Sequence, residues 1–286
     1  MDQKILFLET PPEADGWRLD RALELLVPDV GLRGRRRLVE SGAVTVGGRA
    51  RPCGYRVRAG QELAVSLAAP DTAHFGPADV PVVLEAGDYA LVSKPAGLNT
   101  AAIAHGGGES LEALLPAIFP GREAILLSRL DRLTTGLVPV AFTGAAAQAY
   151  RDMEEAGEVA KTYLAVGHGE ARQCFRVDND LDTADRRKTR VLVRRVIDSL
   201  RMTEAEPLAT ESGATLFRCR IGKGARHQIR AHLAYAGHPL VGDPLYGYGD
   251  GDRLFLHCAG IDCPAFTASL DPPWTFAEAV EEVVTG

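Results

Sequence analysis

The sequence predicts an α+β protein in two parts, a small N-terminal α/β domain and a larger domain built on a mixed sheet. Three observations carry this. Two helical stretches and a glycine-turned hairpin fill the first part of the chain. A segment rich in Ala, Pro, Asp and Gly, AAPDTAHFGPADVP, then breaks both helical and alternating patterns and reads as a linker. From Val80 onward short apolar runs alternate with helical stretches, the pattern of a sheet with helices set against it. The division expected is residues 1–70, a linker over 71–80 and residues 81–286, and a chain of 286 residues is long enough for both domains.

Composition bounds the class before any motif is read. With 46% hydrophobic and 24% charged residues the chain falls in the range of soluble globular proteins. No apolar run approaches the ~20 residues of a membrane span. The opening MDQKILFLET lacks the charged, apolar and small-residue regions of a secretory signal, so the expected compartment is the cytoplasm. Cys53, Cys174, Cys219, Cys258 and Cys263 are scattered without a Cys-x-x-Cys pair, so neither a structural zinc site nor a disulfide framework is expected. A net charge of −6 speaks against a nucleic-acid partner for the chain taken whole. Its distribution speaks otherwise: Arg33 to Arg58 holds eight arginines against one acid, Glu40, a local +7.

In chain order, RLDRALELLV sets Leu19, Ala22, Leu23, Leu26 and Val27 at i, i+3, i+4, i+7 and i+8, one apolar helix face. A second short helix is expected over about Leu32 to Ser41, where Arg33, Arg36 and Arg37 share a face and project three guanidinium groups together. Gly42 stops it. AVTVGGRA reads as strand, Gly47-Gly48 turn and strand, and QELAVSL as a further strand. A cluster made of arginine alone suits phosphate, which a guanidinium meets with a fork of donors. Contact with an RNA backbone is expected there, with a solvated basic surface as the plain alternative. Beyond the linker, VVLEAGDYALVSK, GLVPVAF, KTYLAVGHG, RKTRVLVRRV and ATLFRCRIG read as strands, and ESLEALLPAIF and GAAAQAYRDMEEAG as helices. RRKTRVLVRR, Arg186 to Arg195, fits a solvated strand as well as an RNA contact, and the acidic FAEAVEEVV fits a surface helix.

Three places invite chemistry. HGGGES, His105 to Ser110, has the look of an esterase oxyanion loop, but the chain holds no Gly-x-Ser-x-Gly elbow, so a loop before a helix is expected. His227, His232 and His238 are spaced i+5 and i+6 rather than the i+4 that sets two imidazoles on one helix face, so no metal site is expected. SRLDRLTTGL places Asp131 between Arg129 and Arg132, ahead of an apolar run. On spacing alone, Asp131 reads at least as well as a turn-former bonding nearby N–H groups as it does a reacting carboxylate.

Gly16 to Leu67 resembles the S-four-like RNA-binding module: helix, arginine-bearing helix, Gly-x-Val-x-Val hairpin and an RVRAGQEL ending, with Gly47-Gly48 where Asn-Gly is usual. The larger part resembles the RluA-type pseudouridine synthases in four segments that follow the family's order: LVSKPAGL, SRLDRLTTGL, AKTYLAVGHG and RHQIRAHLAYAGHPLVGDPLYG. The resemblance implies a mainly antiparallel central sheet and an isomerase that detaches uracil from a uridine in RNA and rejoins it through carbon 5. It implies Asp131 as the catalytic aspartate, Tyr163 as the active-site tyrosine and Arg230 as the basic partner. Arg129 is implied as a contact to RNA around a flipped nucleotide, and Arg226, His227 and Gln228, in the same block as Arg230, are expected at the RNA. No cofactor and no metal are implied, since the reaction neither oxidises nor adds anything. The expected partner is RNA, ribosomal large-subunit RNA ahead of transfer RNA, and the protein is expected to be a monomer without membrane attachment.

The residue types suit that reaction. Glycosidic cleavage builds positive charge at the sugar, which a carboxylate stabilises or attacks. Whether Asp131 attacks, or removes a sugar proton to give a glycal, stays open. Burial raises the pKa of a carboxyl and a nearby guanidinium opposes that, the part expected of Arg230. Tyr163 offers a face for stacking uracil and a phenol to assist loss of the carbon-5 proton. Flipping the nucleotide into such a pocket costs on the order of a few kcal/mol. The chain departs from the family pattern at Ser128 where His is usual, at Ala225-Arg226 where Arg-Thr is common, and after LVSKPAGL, where His-Pro is missing. Two other readings share these residues: an RNA-binding or assembly factor without catalysis, and an enzyme that cleaves the nucleoside bond without rejoining it.

Overall fold

The computed structural model describes residues 4–28, 30–40, 42–67, 74–102, 109–185, 188–196, 198–248 and 253–285. The side chains of Lys4, Arg33, Arg37, Glu40 and Leu67 lie outside the described set, as do the linker's first residues 71–73, the loop residues 105–108, and Arg186 and Arg187. The chain divides into two compact units, Met1–Ala73 and His74–Gly286.

In the first unit β1 (Lys4–Glu9), β2 (Val44–Val46), β3 (Arg49–Ala50) and β4 (Glu62–Leu67) form an antiparallel sheet in the order β1-β4-β2-β3. The apolar face that begins at Leu19 is present, with Leu19, Ala22, Leu23 and Val27 buried. Its helix is shorter than the spacing predicts: α1 covers Leu19–Ala22, and Leu23–Leu25 tightens to a 3-10 turn. Next comes α2 (Leu32–Glu40). Gly47 and Gly48 hold φ of 55° and 73°, the left-handed pair that a two-residue hairpin turn needs for its twist. Leu19, Leu23, Val39, Val44, Leu63 and Val65 from both layers make the core of this unit.

The second unit is one large sheet with helices against it. Its strands are β5 (Val82–Ala86), β6 (Tyr89–Lys94), β7 (Ile125–Leu126), β8 (Thr135–Ala141), β9 (Ala160–His168), β10 (Phe175–Val177), β11 (Asn179–Asp182), β12 (Arg190–Arg195), β13 (Thr203–Glu211), β14 (Ala214–Ile221), β15 (Leu256–Cys263) and β16 (Phe266–Ser269). Its helices are α3 (Leu111–Ile118), α4 (Gly144–Glu155), α5 (Gln228–Tyr235) and α6 (Phe276–Thr285). Among the described residues the sheet runs β10-β13-β14-β9-β15-β8-β6-β5, with β16 beside β15, β7 beside β8, and β11 and β12 paired as a separate hairpin. Every pairing among the described strands is antiparallel except that of β15 with β8, where His257 faces Thr135 and Cys258 faces Gly136 in parallel register. The fold is therefore the mixed, mainly antiparallel α+β sheet expected.

Burial explains why some of these strands were plain in the sequence. All seven residues of β8 are buried, so GLVPVAF reads as a continuous apolar run. Thr143 and Ser110 cap α4 and α3 by accepting from Ala146 N and Ala113 N, the usual work of a hydroxyl at a helix start. Leu91, Leu98, Leu115, Leu137, Val140 and Phe217 lie in the main core between sheet and helices. No helix among the described residues is long and apolar enough to cross a membrane.

Candidate active site

Asp131 lies in the loop that leads into β8, and this loop is tied down from several sides. Lys94, at the end of β6 and fully buried, donates to the carbonyl oxygens of Pro95 and Leu98 at 2.8 Å each and of Arg132 at 3.2 Å. Gly97 N reaches the same Arg132 oxygen at 2.8 Å. Thr100 Oγ1 donates to Leu130 O at 2.7 Å and accepts from Leu130 N at 3.1 Å. Thr134 N donates to Asp131 O at 3.1 Å and closes the turn. Gly136 then enters β8 at φ 114°, where a Cβ would lie 2.3 Å from the carbonyl oxygen of Cys258 on the parallel partner. Only glycine lets β8 close on β15 at this point. Two segments separate in sequence, LVSKPAGL and the Thr-Thr-Gly turn, thus serve to place one carboxylate.

Arg230 on α5 meets it. Its Nη1 donates to Asp131 Oδ2 at 2.9 Å, while Nε and Nη2 donate to Asp243 Oδ2 and Oδ1 at 2.7 and 2.8 Å. Asp243 is fully buried and also accepts from Leu245 N at 2.8 Å and Tyr246 N at 3.1 Å. The guanidinium is therefore clamped along one edge and offers the other to Asp131. Burial works against its charge, but the bond and field of Asp243, joined by those of Asp131, prevail and raise its pKa. For Asp243 burial likewise acts to raise the pKa, and Arg230 with the two backbone donors outweighs it and holds the carboxyl below its usual range.

His227 precedes α5 in the left-handed region, φ 55°. Its Nε2 lies 3.9 Å from Asp131 Oδ2 and its Nδ1 3.2 Å from Tyr246 Oη. Burial lowers its pKa; Asp131 pulls the other way, and Arg230 and Arg226 add to the lowering. Arg226 donates through Nη2 to Thr183 O at 3.0 Å and to Asp185 O. Gln228 borders the same cleft but is 2% exposed, and its amide is engaged within the fold: Nε2 donates to the carbonyls of Arg201 and Met202 at 3.0 and 3.1 Å, and Oε1 accepts from Ala225 N at 2.9 Å. A buried amide is kept only where its donors and acceptors are met internally, so Gln228 positions the start of α5.

Tyr163 sits on β9 between Cys219 of β14 and Cys258 of β15 as cross-strand neighbours. Burial pushes its phenol well above the ordinary value, and Cys258 and Asp131 push the same way. Asp131, Tyr163, Arg230 and His227 line one cleft of about 900 Å³, together with Ser128, Arg129, Arg132 and Arg226. Arg129 and Arg132 are exposed on its wall. Arg36 belongs to the first unit, where buried Asp20 accepts from Arg36 Nε at 2.9 Å and from Arg18 Nε and Nη2 at 3.1 Å each. The Arg33 and Arg37 side chains lie outside the described residues. Sequence reasoning gave no role to Asp243, Lys94, Arg132 or Tyr246. The first and last stand in the GDPLYG segment it quoted, Lys94 stands in LVSKPAGL, and Arg132 follows Asp131 directly.

A cleft with a carboxylate held by a buried guanidinium and exposed cations on its wall suits an enzyme that acts on an anionic substrate. Comparison with known proteins then gives the family. Residues 88–235 match the family described as RNA pseudouridylate synthase. Ribosomal large subunit pseudouridine synthase D of Yersinia pestis is 30% identical over 289 residues, spanning 94% of this chain and 87% of that one. Its namesake in Escherichia coli (strain K12) is 31% identical over 261 residues, spanning 86% and 78%. Human RNA Pseudouridylate Synthase Domain Containing 1 shares the fold, with a TM-score of 0.58 at 19% identity over 74% of this chain and 98% of that one. The chain belongs to the RNA pseudouridylate synthase family, in its RluA-type branch, and is an isomerase acting on RNA.

Proposed function

We propose that this protein isomerises uridine to pseudouridine in ribosomal large-subunit RNA, in the cytoplasm, with Asp131 as the reacting carboxylate. The observation that supports the site most is the bond from Arg230 Nη1 to Asp131 Oδ2 at 2.9 Å, made by a guanidinium whose other edge is taken by Asp243. A carboxylate fixed by a guanidinium at that distance is oriented to meet the positive charge that develops at the sugar. Tyr163 stacks on the uracil, and Arg129, Arg132 and Arg226 hold the phosphates that flank the flipped nucleotide. The choice of RNA follows the two named relatives, each a ribosomal large subunit enzyme that matches most of this chain. Residues 1–70 act as an S-four-like RNA-binding domain through Arg33, Arg36 and Arg37, residues 71–80 link it, and residues 81–286 carry the reaction.

Ribosomal RNA labelled with tritium at uracil carbon 5 tests this. The wild type should release the label, and Asp131→Asn should retain it while still binding RNA. Full release by Asp131→Asn would overturn the assignment, and free uracil in place of pseudouridine would show a nucleosidase.

A further inference from the structure

We propose that the hairpin of β11 and β12 is a rigid arm that grips RNA beside the target uridine, with Val193 packing on an unstacked base and Arg194 and Arg195 meeting the flanking phosphates. The inference rests on the reading of this chain as an enzyme that flips a uridine out of RNA. It gives a place to the arginine-rich stretch RRKTRVLVRR, which suits a solvated strand and an RNA contact equally as a sequence.

The hairpin stands apart from the main sheet, yet it is fastened to the residues that build the cleft. At one end Thr189 is buried and donates through Oγ1 to the carbonyl of Arg226, a residue of the cleft wall, at 2.9 Å. Thr189 N donates to Tyr246 Oη and Tyr246 Oη donates to Thr189 O, both at 2.8 Å, while Lys188 Nζ donates to Leu245 O at 2.8 Å. From the other side α5, the helix of Arg230, holds the base of β11. His232 is buried, and its Nε2 lies 3.0 Å from the carbonyl of Asn179, which only accepts, so Nε2 is the donor. Burial lowers the pKa of this imidazole, and in the neutral ring Nδ1 then accepts from Thr203 Oγ1 at 2.9 Å. Val193 follows Thr189 by four residues, at most about 13 Å along an extended strand, so the arm reaches out from the rim of the cleft.

The strand is irregular where it carries Val193. Asn179 pairs with Arg195 and Leu181 with Val191, so Leu192, Val193 and Arg194 stand against Asp180 alone. The Asn179 amide holds this bulge by donating to Leu192 O at 2.9 Å and to Val193 O at 3.3 Å. A bulge re-aims side chains out of the regular pleat, and Val193 is 90% exposed. Next to it Arg194 Nε meets Asp180 at 2.9 Å and Arg195 Nη1 meets Asp178 at 3.2 Å, both arginines being well exposed. Exposed pairs of this kind hold weakly and exchange readily for a phosphate, which takes a guanidinium through two parallel bonds. RNA is the partner that fits the position. The adjoining cleft wall already carries Arg129, Arg132 and Arg226, so a strand leaving the cleft along the arm stays among cations. Flipping one nucleotide unstacks its neighbours, and an apolar side chain such as Val193 covers a base face opened in that way.

Binding of protein-free ribosomal large-subunit RNA tests the arm. Val193→Ser should weaken affinity roughly 5-fold and leave the slope of log affinity against log salt unchanged, because an apolar contact releases no counterions. Replacing Arg194 and Arg195 together with Gln should lower that slope by about 1.5. All three side chains are exposed, so both variants should keep the thermal midpoint of the wild type. Wild-type affinity in Val193→Ser or an unchanged slope in the double variant would overturn the proposal. A defect seen only with ribosomal particles would also overturn it, since the arm would then meet a protein. Binding is read without turnover, so the two readings fail separately: if the wild type releases no tritium while the variants lose affinity, the reading of the reaction falls and the arm stands, and if the wild type releases tritium while the variants bind normally, only the arm falls.

Discussion

Asp243→Asn is the sharpest test of how the site is held. The substitution keeps the shape and an oxygen for Leu245 N and Tyr246 N, but it removes the charge that meets Nε and Nη2 of Arg230 at 2.7 and 2.8 Å. The Arg230 side chain is 4% exposed and that of Asp243 0%, so water cannot replace the lost partner. Removing one member of a buried ion pair costs about 3–5 kcal/mol, and although Asp131 still meets Nη1, the Nε and Nη2 edge of Arg230 is left facing a neutral amide. At ~2–4 °C per kcal/mol for a domain of this size, the thermal midpoint should fall by ~6–20 °C. Asp131→Asn removes the other carboxylate of Arg230, but there the side chain is 21% exposed and a single bond is lost. Its effect should be nearer ~1 kcal/mol. Thermal unfolding of both variants, followed by circular dichroism, measures the contrast. A midpoint for Asp243→Asn within 2 °C of the wild type, or a fall no larger than that of Asp131→Asn, would refute the clamp.

Gly136→Ala should lower stability in urea unfolding by about 3 kcal/mol or more, since φ is 114° and the new Cβ would lie 2.3 Å from Cys258 O; an unchanged midpoint would mean the β8 and β15 contact is not required. Burial lowers the pKa of Lys94 to about 7, so the unfolded chain binds a proton there that the folded chain releases above that pH. The cost of burying the charge is complete below about pH 7 and fades as pH rises toward the value of a free lysine, so stability relative to Lys94→Met should climb between pH 7 and 10. A flat difference would show that the three carbonyls around Nζ hold the ammonium charged throughout. Replacing Arg33, Arg36 and Arg37 together with Gln should reduce the slope of log affinity against log salt for RNA by about 2; an unchanged slope would remove these arginines from the interface.

Much of the fold was legible where one physical signal dominated. Continuous burial makes β8 an unbroken apolar run, and paired glycines with positive φ announce the hairpin of the first unit. The strands that escaped notice had weak signals. β13, TEAEPLATE, is polar along most of its length, breaks register between Pro207 and Ala209, and is recruited by pairing with β14 and β10. β1 lies at the sheet edge, and its exposed face carries Ile5 and Phe7, so the alternation of its burial leaves no apolar-polar alternation in the sequence. The α1 helix was overextended because its apolar spacing continues through Leu26 and Val27 although the backbone tightens at Leu23.

The sequence by itself pointed to the family and to the groups proposed to react. Asp131, Tyr163 and Arg230 each stand in a short ordered segment whose chemistry suits breaking and remaking a bond to ribose, and such segments survive in one dimension because each is local. Only the tertiary structure decided what those groups are bonded to. Asp131 and Arg230 are 99 residues apart, and nothing along the chain shows that Asp243 takes the far edge of the guanidinium, that Lys94 ties the aspartate loop, or that Tyr246 turns Nε2 of His227 toward Asp131. The same holds for Gln228, whose amide satisfies the backbone carbonyls of Arg201 and Met202. Hydrogen-bond satisfaction in a buried site is a property of the closed structure, since a donor's partner is set by which strands and helices meet and not by what precedes it in the chain.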